Sequence, residues 1–118
     1  MGEPVVLVDA ENVRRSLWPN LTGPELVRSC HMWAEREGVL AVVVFDRGAP
    51  GEGDERCRVV EADAGKTADD WIAREAAALR ETGRRFWLVT SDRALRADAG
   101  RDAERVIGGG SFARELGG

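Results

Sequence analysis

Nearly unbroken apolar runs alternate along this chain with segments whose apolar residues return every three or four positions. Val5 to Val8, Val39 to Phe45 (VLAVVVF) and Phe86 to Thr90 (FWLVT) are apolar at almost every residue. Successive strand residues point to opposite faces, so such runs are apolar on both faces. That suits a parallel sheet covered by helices on each side. Arg58 to Ala62 (RVVEA) is a shorter and more polar strand, and Arg105 to Ile107 (RVI) is a marginal one.

Helical segments fall between them. Thr22 to Glu37 opens on TGPE, with Thr22 placed to cap and Glu25 three residues on, and it stops at Gly38. Thr67 to Thr82 opens on TADD and stops at Gly83. Asp92 to about Ala99 stops near Gly100, and Ser111 to Leu116 forms a short last helix. The order β-α-β-β-α-β-α-β-α predicts an α/β fold with a central, mainly parallel five-stranded sheet. Right-handed crossovers put helices on both faces, giving a three-layer α/β/α sandwich. Ala49 to Glu55 (APGEGDE) reads as an acidic, glycine-rich loop and Gly108 to Gly110 as a turn. No internal repeat is visible.

The 118 residues suit a single domain, 1–118, with one buried core. No apolar run approaches the length of a membrane-spanning helix, so no membrane partner is expected. Val5 to Val8 is too short for a signal peptide, and a cytoplasmic location is the expectation. Cys30 and Cys57 lie in different elements and outside any CxxC pair, which predicts two reduced thiols rather than a zinc site or a disulfide. His31 is the single histidine, which excludes sites built on a histidine pair. The formal net charge of −4 argues weakly against nucleic acid unless the charges are segregated.

The total hides the distribution. In an open parallel sheet, function collects at the carboxyl ends of the strands. Asp9 ends the first strand, Asp46 the second, and Thr90-Ser91-Asp92 the fourth, while Asp69 and Asp70 open the helix after the third. Acids gathered on one edge repel one another, and Mg²⁺ or Mn²⁺, which favour oxygen ligands, would relieve that repulsion. Each acid also has a local explanation. Asp9 can be a turn residue or a helix cap, Asp46 can start a turn before Gly48, and Asp92 can cap the next helix. Asp69 and Asp70 can serve the helix dipole alone. Separate caps have no reason to converge on one edge, and that coincidence favours the metal reading. In the TADD helix Ala68, Ile72, Ala76 and Leu79 form the apolar stripe. At roughly 100° per residue Asp69 flanks the stripe, and Asp70 lies on the far side as the reserve candidate. Asn12 can donate to Asp9, hold a phosphate or the attacking water, or cap a short turn at Val13. Thr90 and Ser91 can contact a carboxylate or a phosphate.

Two motifs fail on inspection. Gly65-Lys66-Thr67 resembles the end of a nucleotide-binding loop, but Val60 stands where that loop needs glycine. The DxD pattern of aspartate-nucleophile phosphatases would need an aspartate at Glu11. Basic residues follow the same edge: Arg14, Arg15, Arg47, Lys66, Arg93 and Arg96. With Ser91, the first five are candidates to hold an RNA phosphate backbone, whose contacts are local. The plain alternative is that they are solvated arginines and a solvated lysine. Trp18 reads as a core anchor or, alternatively, as a base-stacking residue. Trp33, Trp71 and Trp87 read as packing residues, and His31 as a surface or partly buried helix residue.

Taken in order, VLVDAEN, WPN, VVVFD, GKTADDWI, VTSD and the terminal GGGSFARELG resemble the YacP-like NYN domains of the PIN-like superfamily of metal-dependent ribonucleases. The match runs over nearly the whole chain, and its specificity lies in the ordered set rather than in any one motif. The family's usual first motif is DGYN. Here Asp9-Ala10-Glu11-Asn12 keeps the acid and the amide and replaces the glycine and the aromatic, which bears on loop shape and base stacking more than on metal binding. The resemblance implies a PIN-like sandwich of strand order 3-2-1-4-5, with catalytic acids at Asp9, Asp46, Asp69 and Asp92 supported by Asn12. It also implies a product with a 5′-phosphate and a setting in translation or RNA turnover.

The expected function is therefore a metal-dependent endoribonuclease acting on RNA phosphodiester bonds. Mg²⁺ or Mn²⁺ would sit among Asp9, Asp69 and Asp92, with Asp46 farther out. The alternative is a non-catalytic RNA-binding or protein-interaction module of the same fold, against which the retention of all four acids argues. A phosphatase or receiver-like domain is the remaining alternative. A receiver would need a lysine after the fifth strand, where Gly108 to Gly110 stands. A homodimer is left open.

Overall fold

A computed structural model describes residues 2–117. Its strands are β1 (Val5–Asp9), β2 (Leu40–Phe45), β3 (Cys57–Glu61), β4 (Phe86–Val89) and β5 (Arg105–Ile107). They form one sheet of order β3-β2-β1-β4-β5, and every neighbouring pair is parallel. The helices are α1 (Ala10–Arg14), α2 (Gly23–Glu37), α3 (Ala68–Glu81), α4 (Arg93–Asp98) and α5 (Gly109–Gly117), with a 3-10 turn at Ala99–Asp102. The α/β class, the parallel sheet and the strand order match the expectation from sequence.

The apolar runs explain this order. β1 is central, and all five of its residues are buried. Alternation along it divides the core into two layers. Val6 and Val8 face Leu26, Trp33 and Phe112 of α2 and α5. Val5 and Leu7 face Ile72 and Leu95 of α3 and α4. β3, an edge strand, has the alternating exposure that its polar composition suggested.

The long helices begin and end on local chemistry. Thr22 and Glu25 form a reciprocal capping box, and Gly38 closes α2 in the left-handed region at φ 69°. Thr67 and Asp70 form the same box at the head of α3.

One helix was not anticipated, and two expectations fail. Residues 10–14 are helical, although a five-residue helix is too short to display a 3.6-residue period. Gly109 and Gly110 belong to α5 rather than to a turn. Their poor helix propensity is overridden by tertiary contacts: Phe112 meets Trp33 edge-on at 4.8 Å, and Trp33 Nε1 donates to Glu115 at 2.5 Å. Trp18 is not a core anchor, since it is 89% exposed.

Trp33 and Trp87 are buried, whereas Trp71 is half-buried with Arg58 stacked 5.9 Å from its ring centre. His31 lies half-buried on α2, with Nε2 2.9 Å from an Asp54 oxygen. Both cysteines are buried free thiols. Among the described residues, no helix is long and apolar enough to cross a membrane.

β2 and β3 are joined without a helix. The chain doubles back through an antiparallel bridge between Gly53 and Arg58, and Val59 N–H donates to the Glu52 carbonyl at 2.8 Å. A Cβ on Gly53 would lie 2.1 Å from the Cys57 carbonyl oxygen, so this turn requires glycine both sterically and by its φ of +76°.

Candidate active site

Parallel strands deliver their carboxyl ends to one edge of the sheet, and an open cleft of about 480 Å³ lies there. Asp9, Asp46, Asp69 and Asp92 all line it, together with Glu11, Asn12, Arg15, Ser16 and Ser91. The four aspartates come from four places in the chain: the end of β1, the residue after β2, the first turn of α3 and the cap of α4.

Each acid is held differently. Asp9 is 6% exposed, and its Oδ2 accepts from the Thr90 hydroxyl at 3.0 Å. It occupies the cap position of α1 but makes no capping bond with its side chain. Asp46 Oδ1 accepts from the Ala68 amide at 2.6 Å, which ties β2 to the start of α3. Asp92 Oδ1 accepts from the Leu95 amide at 2.9 Å, so it caps α4 and lines the cleft at once. Asp69 accepts none of the hydrogen bonds formed among the described side chains, and both its oxygens are free. Asp70 is exposed and closes the capping box, accepting from the Thr67 amide at 3.0 Å, so it stands away from the cleft.

Burial, and after it the crowding of like charge, is written into the acidities. Burial pushes Asp9 up from an ordinary 3.8 to about 6. The Thr90 hydroxyl and the nearby backbone N–H of Asn12 oppose the rise, and the charges of Asp69 and Asp46 add to it. Asp69 is raised as well, first by burial and then by Asp92, Asp46 and Asp70. Negative charge here is short of compensation.

A second set of contacts braces the site. Asn12 Oδ1 accepts from the Ser91 amide at 2.9 Å, and the Ser91 hydroxyl accepts from the Gly109 amide at 2.8 Å. A Cβ on Gly109 would lie 2.2 Å from Asn12 Oδ1. The side chain of Asn12 therefore clamps α1, the β4–α4 junction and α5 together, rather than donating to Asp9 or capping at Val13.

The basic residues converge less than their positions suggested. Arg15 lines the cleft. Arg14 is held by Glu11 at 2.8 and 2.9 Å and by the Leu21 carbonyl at 2.8 Å. Arg47 folds onto the carbonyls of Asp46 and Ala62. Lys66, Arg93 and Arg96 are exposed and do not line the cleft. Glu11 and Ser16 were missed as lining residues. Both follow β1 in a segment too short to show a period, so no signal in the sequence marked them.

The donors suit a hard, oxygen-seeking cation. Among the described residues, no three carboxylate, thiol or imidazole groups draw together into a closed metal cage. Because three of the four aspartates commit an oxygen elsewhere, the arrangement fits a hydrated cation held by one or two carboxylates, as Mg²⁺ is commonly bound.

Sheet order and flanking helices give a YacP-like α/β fold. The chain is similar to the crystal structure of a point mutant of Rae1 (YacP) from Bacillus subtilis. The TM-score is 0.73 with 25% identity, over 97% of this chain and 75% of that one. A second crystal structure of Rae1 (YacP) from the same organism gives 0.73 and 24%, over 96% and 73%. No protein-family model matches the chain, and no curated protein matches it.

Proposed function

We propose that this protein is a metal-dependent endoribonuclease that hydrolyses RNA phosphodiester bonds. The observation that carries the reading is the meeting of Asp9, Asp46, Asp69 and Asp92, from four separate elements, in one cleft where Asp9 and Asp69 are held above their ordinary acidity range. The ordered motif resemblance and the likeness in fold to Rae1 (YacP) support it. The setting would be RNA turnover or translation.

Asp69, with both oxygens free, and Asp9, with one, would hold Mg²⁺ or Mn²⁺. When bound, such a cation neutralises charge at a phosphate and makes a nearby water more acidic. Thr90 keeps Asp9 turned into the cleft. Asp46 and Asp92 each keep one oxygen for the hydrogens of ordered water or of the attacking water. Arg15 stands at the rim to hold a neighbouring phosphate. No side-chain nucleophile is required.

A binding module that does not cut is disfavoured by charge. Five carboxylates (Asp9, Glu11, Asp46, Asp69 and Asp92) and one arginine line the cleft. An RNA backbone would be repelled there unless a cation came first.

The test is incubation of single-stranded and structured RNAs with Mg²⁺, with Mn²⁺ and with EDTA. Cutting that needs metal and is lost in Asp9→Asn and Asp92→Asn supports the reading. RNA bound without metal and left intact would replace it with the binding module.

A further inference from the structure

We propose that Trp18 is a stacking platform for one nucleobase of single-stranded RNA, placed just beyond the cleft; this rests on the RNA-cleaving reading above. Trp18 is carried on the loop of residues 15–20. Two bonds close the neck of that loop: the Leu21 amide donates to the Arg14 carbonyl at 3.2 Å, and Arg14 Nε donates to the Leu21 carbonyl at 2.8 Å. The Arg14 guanidinium is pinned in turn to Glu11 on α1, so the loop is fixed to the rim of the cleft. Its first two residues, Arg15 and Ser16, line the cleft. Two residues of chain span at most about 7 Å, so the indole stands within reach of a nucleotide adjoining one bound in the cleft.

The exposure of Trp18 needs a reason. At 89% it contrasts with the buried Trp33 and Trp87, and nothing in the fold uses its apolar faces. A protein partner would need a wider surface. The apolar patch in the loop is Trp18 with its exposed neighbours Leu17, itself 37% exposed, and Pro19, among Arg15, Ser16 and Asn20. A stable protein interface buries about 800 Å² on each side, several times what one indole offers. A base needs one ring on one ring with a cation beside it for the phosphate, and Trp18 and Arg15 provide that pair. Bases in a duplex present no free face, so the preferred substrate is single-stranded.

The test compares wild type, Trp18→Ala and Trp18→Phe in Mn²⁺-dependent cleavage of a single-stranded oligonucleotide. Acrylamide quenching of tryptophan fluorescence, with Ca²⁺ in place of Mn²⁺, is read alongside. Trp18→Ala is expected to raise KM about five- to hundredfold with kcat little changed, and Trp18→Phe to recover most of the loss. Single-stranded RNA should shield the wild-type indole from acrylamide, and an RNA duplex should not. Unchanged KM in Trp18→Ala, with no shielding, overturns the platform while the nuclease stands. Absence of both cutting and RNA binding in wild type overturns the nuclease reading and the platform with it. A dimer in sedimentation that Trp18→Ala dissociates, with RNA kinetics unchanged, assigns the indole to a protein contact instead.

Discussion

Asp9→Asn should make the metal-free protein more stable at neutral pH, although Asp9 is the acid at the end of the central strand. The carboxyl of Asp9 ionises at about 6 in the folded chain against an ordinary 3.8. Between those values the folded state keeps a proton that the unfolded chain has lost, so stability falls as pH rises through this window and levels off above about 6. At about 1.4 kcal/mol for each tenfold change in the ionisation constant, the full loss is about 3 kcal/mol. Asparagine carries no charge, and its carbonyl oxygen can still accept from Thr90, so the variant escapes that loss and keeps the bond. Urea unfolding in EDTA, followed by far-UV circular dichroism between pH 4 and 8, measures the difference. The gain should approach 3 kcal/mol near pH 7.5, moving the urea midpoint by about 2 M for a domain of this size, and should shrink towards zero at pH 4. A gain independent of pH would mean altered packing, and no gain at pH 7.5 would mean that Asp9 is not destabilised by its surroundings. Either result refutes the electrostatic account of the cleft.

Thr67→Ala removes half of the α3 capping box and should cost about 1 kcal/mol of stability by thermal unfolding, with cation binding in the cleft retained. Gly109→Ala sets a Cβ 2.2 Å from Asn12 Oδ1 and should expel that side chain, freeing the Ser91 amide. The expected cost is about 1–2 kcal/mol, with faster hydrogen exchange at Ser91. Glu104 is held near 2 rather than 4.5, first by Arg85 and then by Trp87. Its contribution is complete above 4.5 and is lost as pH falls towards 2. Glu104→Gln should therefore be less stable than wild type at pH 7 and converge with it near pH 2 in the same unfolding assay.

The sheet was legible because its central strands are buried on both faces, which leaves a run such as VVLV no other economical reading. The capping boxes at Thr22 and Thr67 were legible because both partners lie within three residues of each other. The phase of α3 placed Asp69 and Asp70 on different sides by rotation alone. The elements that escaped depend on distant partners. α5 begins on two glycines and is held by Trp33, seventy-nine positions from Phe112. The basic rim failed for a related reason. Position along the chain brings an arginine to an edge, but its guanidinium goes to the nearest acceptor, which for Arg14 is Glu11 and for Arg47 is its own strand's carbonyl edge. The core-anchor reading of Trp18 failed because apolar character predicts burial only on average, and a single exposed loop residue breaks that average.

The most direct measurement is Mn²⁺-dependent RNA cleavage by Asp69→Asn beside Asp70→Asn, two neutralisations at adjacent residues of one helix turn. Asp69 lines the cleft with both oxygens free, whereas Asp70 closes a capping box outside it. The account predicts that Asp69→Asn abolishes cutting and that Asp70→Asn keeps the rate with a small loss of stability. Equal loss in both variants, or full activity in Asp69→Asn, would contradict it.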